Sequence, residues 1–315
     1  MELFVRSKTV EALDIVALEL ASVSGEPLPP FTAGAHIDLV LGNGLIRSYS
    51  LANDPAETDR YVVAVHRDPA SRGGSAYVHD VVAVGDRIEV HGPRNNFELV
   101  ENAPTVVLIA GGIGITPLWS MIQRLESLGR SWKLFYAVRS RSRCAYEKAI
   151  AALEASSPGR VHFHFNDEQG GALIDLPAIL AALASDAHVY CCGPNPMLEA
   201  FEQATAGRNP CTVHLEWFRG HTPAATEGGY SVVLSRSGRT FRIPAGKSVL
   251  DVLIEAGLDI AYSCREGVCG ACQTNVLEGE PDHRDSYLTP HEKRSGKTML
   301  ICCSGATGDR LVLDM

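Results

Sequence analysis

The chain has 315 residues, about twice the usual size of a single domain, so two or three packed units are expected. Hydrophobic residues make up 45% and charged residues 21% of the chain, which excludes a largely disordered, collagen-like or coiled-coil protein. The formal net charge of -9 argues against a surface that coats nucleic acid and against a polybasic membrane anchor.

The first hundred residues consist of short β-rich runs separated by turn residues, with no long helical pattern between them. Six strands at this spacing predict an antiparallel barrel or sandwich. One short helix is predicted near residues 75–83. The predicted strands are LFVRSKTV, ALDIVALELAS, AHIDLVL, IRSYSLA, RYVVAVHR and DRIEVHG.

After Asn102 the pattern changes to apolar runs that alternate with amphipathic, helix-length stretches, as a parallel α/β sheet requires. Helices are predicted at 117–128, near 143–155, after Asp175 and after Pro194. Five strands and four helices together indicate a doubly wound sheet of the nucleotide-binding type. The predicted strands are TVVLIA, WKLFYAV, RVHFHF, HVYCC and CTVHLEWF.

A polar segment rich in small residues, 219–229, shows no periodicity and is interpreted as a linker. A third unit follows it. The run SVVLSRSGRTFRIP predicts a hairpin around Ser237 and Gly238, and SVLDVLIEAG predicts a helix with one apolar face.

Nine cysteines lie mostly in the last fifth of the chain, which is a poor match to the disulfide scaffold of a secreted domain. The N-terminus lacks an apolar signal segment, and no window of 18 apolar residues occurs. We therefore expect a reducing, cytoplasmic setting in which the cysteines bind metal or take part in redox chemistry.

Four of these cysteines have the spacing of a plant-type [2Fe-2S] ligand set. Cys264, Cys269 and Cys272 form Cys-x4-Cys-x2-Cys, and Cys302 follows after 29 intervening residues. A tight loop can converge three thiolates on two irons while a distant strand supplies the fourth. Zinc is the alternative, but it prefers two Cys-x2-Cys pairs.

The other cysteines are assigned to the core. Neighbours on a strand point to opposite faces, so only one of Cys302 and Cys303 is expected to face a cluster, and the spacing selects Cys302. Gly267 and Gly270 would let the ligand loop curl with its N–H groups pointing inward. Cysteines predicted to be buried core residues are Cys144, Cys191 and Cys211, with Cys303 as a fourth small buried side chain.

A glycine-rich turn, GGIGITP at 111–117, follows a buried strand and opens a helix. Gly112 and Gly114 permit a sharp turn, Thr116 is the expected N-cap, and Pro117 suits the first helical position. A pyrophosphate could rest on this helix N-terminus, although tight strand-to-helix turns also use glycine for packing alone. The turn ends in proline, unlike the usual dinucleotide fingerprint.

A second turn, CCGPNPM at 191–197, ends the fourth strand of the same sheet, where ligands collect. Cys192 would then lie beside a nicotinamide ring. Its alternative role, a buried thiol at the end of a strand, is equally compatible with the sequence.

Arg47 and Tyr49 alternate on one face of the strand RSYSLAN, where a guanidinium could hold a phosphate and a phenol ring could stack on a flat heterocycle. SRGGS, at 71–75, adds a glycine-rich turn ahead of a short helix, a candidate anion cradle. Together the two motifs suggest a bound flavin phosphate, although Arg and Tyr on a strand face are commonly surface pairs.

The motifs RSYS, RGGS, GGIGITP, CCGP and Cys-x4-Cys-x2-Cys with a distant Cys, in this order, resemble the phthalate dioxygenase reductase family, which includes vanillate demethylase-type reductases. The resemblance covers essentially the whole chain. It implies an FMN-binding antiparallel β-barrel over 1–102, a doubly wound NADH-binding α/β domain over 103–218, the linker 219–229 and a plant-type ferredoxin (β-grasp) domain over 230–315.

The resemblance also implies functional residues. Phe218 matches a phenylalanine that stacks on the flavin, with Trp217 as a bulky neighbour, and His66 stands where some relatives carry Lys. Thr116 and Cys192 would lie near the reacting atoms. Residues implied to bind FMN are Arg47, Ser48, Tyr49, Ser50, Ala64, Val65, His66, Gly73, Gly74, Ser75 and Phe218. Those implied to bind NADH are Gly111, Gly112, Gly114, Thr116, Pro117, Cys192, Gly193 and Pro194.

By resemblance the protein is the NADH-dependent reductase component of a Rieske-type aromatic oxygenase or demethylase, a monomer that passes electrons from NADH through FMN and [2Fe-2S] to the oxygenase. No nucleic acid or membrane partner is expected. The alternative is a flavin-dependent quinone or diaphorase-type reductase whose ferredoxin unit is an auxiliary carrier. Arg139, Arg141 and Arg143 could contact the 2'-phosphate of NADPH, but solvated arginines at a helix start are the simpler interpretation, and the resemblance favours NADH.

Overall fold

The computed structural model describes all residues, 1–315, and divides them into two compact units, 1–216 and 217–315. None of its helices is both long enough and apolar enough to cross a membrane.

The first unit begins with a six-stranded antiparallel sheet, in the order β4-β3-β6-β1-β2-β5. An isolated bridge between Leu51, just after β4, and Val63 in β5 brings the two sheet edges together, so the sheet closes into a barrel. Alternate residues of its strands fill one apolar core. The elements are β1 (Glu2–Ala12), β2 (Ile15–Ser22), β3 (His36–Val40), β4 (Ile46–Ser50), β5 (Tyr61–His66), α1 (Gly74–Asp80) and β6 (Arg87–Arg94).

A five-stranded parallel sheet completes the first unit, in the order β11-β10-β7-β8-β9. Every residue of its central strand β7 is buried, as expected for a strand covered by helices on both faces. The elements are β7 (Val106–Gly111), α2 (Ile115–Ser127), β8 (Trp132–Val138), α3 (Glu147–Ser156), β9 (Val161–Phe165), α4 (Leu176–Ala181), β10 (His188–Cys192), α5 (Asn195–Thr205) and β11 (Val213–Glu216). The predicted doubly wound sheet of five strands and four helices is confirmed.

The second unit is a mixed sheet in the order β13-β12-β18-β14-β16 with helix α6 packed against it. Ser248 caps α6 reciprocally with Asp251, a capping box that fixes where this helix starts. The elements are β12 (Ser231–Leu234), β13 (Thr240–Arg242), α6 (Val249–Glu255), β14 (Gln273–Glu278), β15 (Pro281–Asp282), α7 (Pro290–Ser295), β16 (Thr298–Leu300), β17 (Gly305–Ala306) and β18 (Arg310–Leu313). The predicted hairpin and one-faced helix are confirmed.

Segment 219–229 contains no helix or strand, but it packs against the rest of the second unit. Ala225 is buried, and its N–H donates to the carbonyl of Cys303 at 2.7 Å. The Thr226 carbonyl accepts from Gly246 N–H at 2.7 Å. The small residues that suggested a loose linker let this segment lie close to its neighbours.

Two helices start at positions other than those predicted. A 3-10 turn over Gly112–Gly114 runs directly into α2, which therefore begins at Ile115, two residues early. Helix α3 begins only at Glu147, because residues 141–143 form a separate 3-10 turn and Tyr146 has a positive φ of 58°.

The prediction that Cys211 is a core residue is wrong. Cys211 is exposed, because it lies in a 3-10 turn capped by Asn209, ahead of the strand on which it was expected to be buried. Cys144, Cys191 and Cys303 are buried as predicted.

Candidate functional site

The motif RSYS and the segment 64–66 lie on the two edges of the barrel sheet. β4 pairs with β3, and β5 pairs with β2, so the remaining edges of β4 and β5 face each other beyond the Leu51–Val63 bridge. A sheet edge offers a row of backbone donors and acceptors. The structure thus brings the two groups of predicted flavin residues, 47–50 and 64–66, to the place where the barrel closes between β4 and β5, here called the barrel seam.

Arg47 connects this seam to the glycine-rich turn of SRGGS. A Cβ on Gly74 would lie 2.7 Å from Arg47 Nε and 2.8 Å from Arg47 Cγ, so the arginine rests directly on the start of α1. Gly73 precedes it with a φ of 96°, a conformation that favours glycine. The guanidinium and the N–H groups of a tight turn are therefore adjacent, an arrangement suited to an anion such as a phosphate.

Tyr49 lies on the same face of β4 as Arg47 and packs partly against the barrel core. Burial raises the pKa of its phenol to about 12, so the ring stays neutral at physiological pH. The ring is therefore an apolar surface with one neutral hydroxyl, which fits stacking better than proton transfer.

The opposite face of β4 carries a polar cluster that the sequence did not indicate. Ser48 Oγ donates to Asp38 Oδ1 at 2.7 Å, and Arg94 Nη2 donates to Asp38 Oδ2 at 2.5 Å. Asp38 is 1% exposed, and its two oxygens join β3 to Ser48 on β4 and to Arg94 on β6, whose side chain is still partly exposed. Burial, followed by the nearby Arg94, lowers the pKa of His36 to about 4. A lone Asp inside the apolar run AHIDLVL was the available signal.

The two turns of the parallel sheet are in direct contact. A Cβ on Gly111 would lie 2.6 Å from Pro194 Cδ and 3.1 Å from Gly193 Cα. A Cβ on Gly114 would lie 2.7 Å from Gly193 N and closer still to the Cys192 carbonyl. β7 and β10 are neighbouring parallel strands, so their carboxyl ends meet at one edge of the sheet, as the motifs predicted.

Thr116 is not the N-cap of α2. The 3-10 turn places it inside the first helical turn, and its hydroxyl donates back to the carbonyl of Ile113 at 3.0 Å. Thr116 is 2% exposed. Pro117 lies in the same first turn of α2, where the missing N–H of proline is tolerated.

Cys192 is fully buried, and its Sγ lies 3.9 Å from Glu216 Oε2 at the end of β11. Burial raises the pKa of the Cys192 thiol far above its usual range, so the sulfur stays protonated. Glu216 is only partly exposed, and desolvation raises the pKa of its carboxyl to about 8. At neutral pH the pair is thus an uncharged thiol beside a mostly uncharged acid. No motif marks Glu216 in the sequence, because only strand pairing brings it beside Cys192.

Helix α2 is fixed to the loop that follows β4. Ser120 Oγ donates to the Asn53 carbonyl at 2.9 Å in a buried bond, and Gln123 Nε2 donates to the Ala52 carbonyl at 2.8 Å. Asn53 Oδ1 in turn accepts the N–H of Val62 in β5. These hydrogen bonds fix the position of the helix that follows GGIGITP relative to the barrel seam, a relation that no local motif indicated.

Two of the three arginines after β8 are engaged in ion pairs. Arg141 contacts Glu147 at 2.5 Å and Glu168 at 3.3 Å, and Arg143 contacts Asp14 at 2.6 Å. Their positive charges are offset within the first unit, and they lie in a 3-10 turn ahead of α3, not solvated at a helix start as expected.

The cysteine loop of the second unit fits the predicted cluster. Side-chain interactions join Cys264 to both Cys269 and Cys302, and Cys302 also to Cys272, so the four thiols form one connected group. All four are buried, at 4–8% exposure. Four converging thiolates are what a [2Fe-2S] cluster requires.

Backbone donors point at these sulfurs. Glu266 N–H donates to Cys264 Sγ at 3.3 Å, Val268 N–H also bonds Cys264, and Ala271 N–H bonds Cys269. Gly267 and Gly270 make this possible with φ values of 70° and 75°. Donors aimed at buried sulfur suit the net negative charge of a thiolate-bound cluster.

Cys302 and Cys303 lie in a turn after β16, not on a strand, so alternation between strand faces does not decide between them. A Cβ on Gly267 would overlap Cys303 Sγ, and Cys303 Sγ lies 3.8 Å from the Leu300 carbonyl. Cys303 therefore packs beneath the ligand loop.

Trp217 is buried with its ring 4.6 Å from that of His221, and Phe218 is half-buried.

Comparisons with known proteins agree with this geometry. Residues 108–203 match the oxidoreductase NAD-binding domain, and residues 232–307 match the 2Fe-2S iron-sulfur cluster binding domain. The chain is 53% identical over 96% of its length to phenoxybenzoate dioxygenase subunit beta of Ectopseudomonas oleovorans, covering 93% of that protein. It is 47% identical over its whole length to tetrachlorobenzoquinone reductase of Sphingobium chlorophenolicum, covering 98% of it.

Among solved structures, that of phthalate dioxygenase reductase, described as a modular structure for electron transfer from pyridine nucleotides to [2Fe-2S], aligns with a TM-score of 0.77 at 40% identity. The alignment covers 100% of this chain and 98% of that one. The chain also spans 41% of an intact type IV self-sufficient cytochrome P450 monooxygenase, at 40% identity and a TM-score of 0.87.

A closed antiparallel barrel, a parallel nucleotide-binding sheet and a four-thiol loop in one chain define a modular iron-sulfur oxidoreductase. The chain belongs to the phthalate dioxygenase reductase family. The cofactors of this family are FMN, NADH and a [2Fe-2S] cluster.

Proposed function

We propose that this protein takes electrons from NADH and delivers them one at a time to a terminal Rieske-type oxygenase. The proposal rests on three features of this member of the reductase family: Arg47 at the barrel seam, the two contacting glycine turns of the parallel sheet, and the four-thiol loop. Bound FMN and the [2Fe-2S] cluster supply the conversion from a two-electron donor to one-electron transfers.

In the barrel, Arg47 would hold the flavin phosphate together with the turn at Gly73, Gly74 and Ser75. The edges of β4 and β5, at 47–50 and 64–66, would supply hydrogen bonds to the polar rim of the flavin ring. Tyr49 would cover part of the ring and exclude water. The neutral phenol and the Ser48–Asp38 bond behind the strand support a fixed binding surface.

In the parallel sheet, the turns at 111–117 and 192–194 would hold NADH, with its pyrophosphate against backbone N–H groups. Thr116 and Cys192 would lie under the nicotinamide end. Their deep burial favours a positioning role through packing, and the uncharged Cys192–Glu216 pair would keep this end of the pocket free of fixed charge. NADH is preferred to NADPH because Arg141 and Arg143 are offset by carboxylates. Relative rates with the two nucleotides test this preference.

The cluster would be held by Cys264, Cys269, Cys272 and Cys302. The proposed division of labour is an FMN domain over 1–102, an NADH domain over 103–218, a linker at 219–229 and a ferredoxin domain over 230–315. The protein would act as a cytoplasmic monomer, and the names of dioxygenase subunits among its relatives support an oxygenase as its partner.

One matched pair of variants tests the relay. Cys302→Ser should remove the cluster spectrum and abolish oxygenase-supported turnover, while NADH oxidation with a small quinone as acceptor continues. Cys303→Ser should retain the cluster and both activities, because Cys303 only packs beneath the loop. Unchanged support of the oxygenase by Cys302→Ser would refute the relay.

A second function has a specific observation in its favour, since a 47% identical relative is named tetrachlorobenzoquinone reductase. If a quinone were the physiological acceptor, the rate with quinone would exceed the rate with any oxygenase. Comparing the two acceptors at equal NADH concentration distinguishes the two functions.

A further inference from the structure

A buried ion pair lies directly against the cysteine ligand loop. Asp285 is 1% exposed and is the only acidic side chain buried in the second unit. A Cβ on Gly267, midway between Cys264 and Cys269, would lie 3.0 Å from Asp285 Cα and 3.1 Å from its Cβ. The Gly267 carbonyl also accepts the N–H of Ser286 at 3.0 Å. The ligand loop and the Asp285 segment are therefore in van der Waals and hydrogen-bond contact.

The carboxylate is fixed mainly through one oxygen. Asp285 Oδ2 accepts the N–H groups of Tyr287 at 3.2 Å and Leu288 at 2.7 Å. Lys293 Nζ lies 3.6 Å from the same oxygen and donates to the Asp285 carbonyl at 2.5 Å. The other oxygen, Oδ1, has no hydrogen bond, and His283 Nδ1 lies 3.6 Å from it.

Folding alone does not require this arrangement. A carboxylate with an unbonded oxygen in a buried site costs free energy that a neutral side chain would avoid. The two N–H groups could be accepted equally well by an amide oxygen. A buried charge beside a redox centre does, however, act on the energy of each electron that the centre accepts, because little water screens it.

We propose that the Asp285–Lys293 ion pair sets the reduction potential of the cluster held by this loop; the inference rests on the proposed cluster ligands. Reduction adds one negative charge to the cluster. Asp285 opposes that step and Lys293 favours it, so the two residues tune the potential in opposite directions. Asp285 has the larger effect, because its side chain is 0% exposed and that of Lys293 is 30% exposed.

The test uses full-length protein with its cofactors bound and variants that change charge but keep shape. Asp285→Asn retains an oxygen for the two backbone donors and removes the negative charge. Lys293→Gln removes the positive charge from a partly exposed position. Asp314→Asn is the control, because Asp314 forms an exposed ion pair with Arg236 in the same unit.

The readout is the midpoint potential of the cluster in a spectroscopic redox titration, with the electron paramagnetic resonance spectrum as a check on the ligand set. We expect Asp285→Asn to favour the reduced cluster about tenfold at equilibrium. This corresponds to raising the midpoint potential by about 59 mV for a one-electron couple. Lys293→Gln should lower it by less, and added salt should shrink that shift. Asp314→Asn should match the parent.

Shifts of the same sign in Asp285→Asn and Lys293→Gln, or no shift beyond that of Asp314→Asn, would overturn the proposal, because a purely structural perturbation has no reason to follow the sign of the charge. Should Asp285→Asn fail to retain a cluster, Lys293→Gln decides alone, and a potential at or above that of the parent refutes the idea. A parent protein without any cluster spectrum would instead refute the ligand assignment itself.

Discussion

Replacing Gly114 by alanine tests whether the two glycine turns form one site. The backbone of Gly114 has φ -60° and ψ -6°, which alanine adopts without strain. Helix propensity alone would favour alanine by about 1 kcal/mol. The added Cβ, however, would lie 2.7 Å from Gly193 N and closer still to the Cys192 carbonyl, against an ordinary separation of about 3.5 Å.

These neighbours cannot move aside cheaply. They are backbone atoms at the end of β10, which is hydrogen-bonded on both sides, to β7 and to β11. Overpacking a rigid site costs about 1–3 kcal/mol, and the clash here is at the upper end of that range. The clash therefore outweighs the gain in propensity. We expect Gly114→Ala to lose about 2 kcal/mol of stability and to raise the KM for NADH at least tenfold.

The assay combines urea unfolding of the full chain with steady-state kinetics. Gly207→Ala is the matched control, because a Cβ there meets no atom within 4 Å and its φ is not positive, so it should be neutral or slightly stabilising. If Gly114→Ala unfolded at the same urea concentration as Gly207→Ala and kept the parent KM, the contact between the two turns would not matter for nucleotide binding.

Three further variants probe the other parts of the site. Gly74→Ala should displace Arg47 and weaken FMN binding about tenfold, equivalent to about 1.4 kcal/mol, with little change in thermal stability; flavin retention on gel filtration and a flavin fluorescence titration measure this, and unaltered affinity would refute the phosphate site. Glu216 holds its proton up to about pH 8 when folded but only to about 4.5 when unfolded, so its contribution should lower the free energy of unfolding as pH rises between these values. Glu216→Gln should flatten that fall in a series of urea titrations, and identical pH profiles would show that the carboxyl is not desolvated. Gly270→Ala places a Cβ 2.5 Å from a ring carbon of Tyr287 at a φ of 75°, and should lower the bound iron per protein to a small fraction of the parent value. Gly257→Ala, with a similar φ and open space around it, should retain the parent iron content. Equal iron in the two variants would contradict the packing argument.

Local patterns predicted the order of elements well. Short β-rich runs between turn residues marked the six barrel strands, and apolar runs between amphipathic stretches marked the parallel sheet, because each signal depends only on the residues of its own element. The cysteine spacing was equally informative, since three ligands on one short loop are a local property. Helix starts were less reliable: the hydroxyl of Thr116 can bond forward as a cap or backward to Ile113, and only the preceding 3-10 turn chooses.

Contacts between distant segments were decided by the tertiary structure alone. Nothing near Cys192 in the chain indicates Glu216, and nothing near Gly267 indicates Asp285; strand pairing and loop packing bring each pair together. The same holds for Asp38, Arg94 and Ser48. A single sequence specifies residue types and their local periodicity, and therefore the modules and their motifs. Burial and proximity, which set the pKa values and the charges near the redox centres, depend on long-range packing and emerge only in three dimensions.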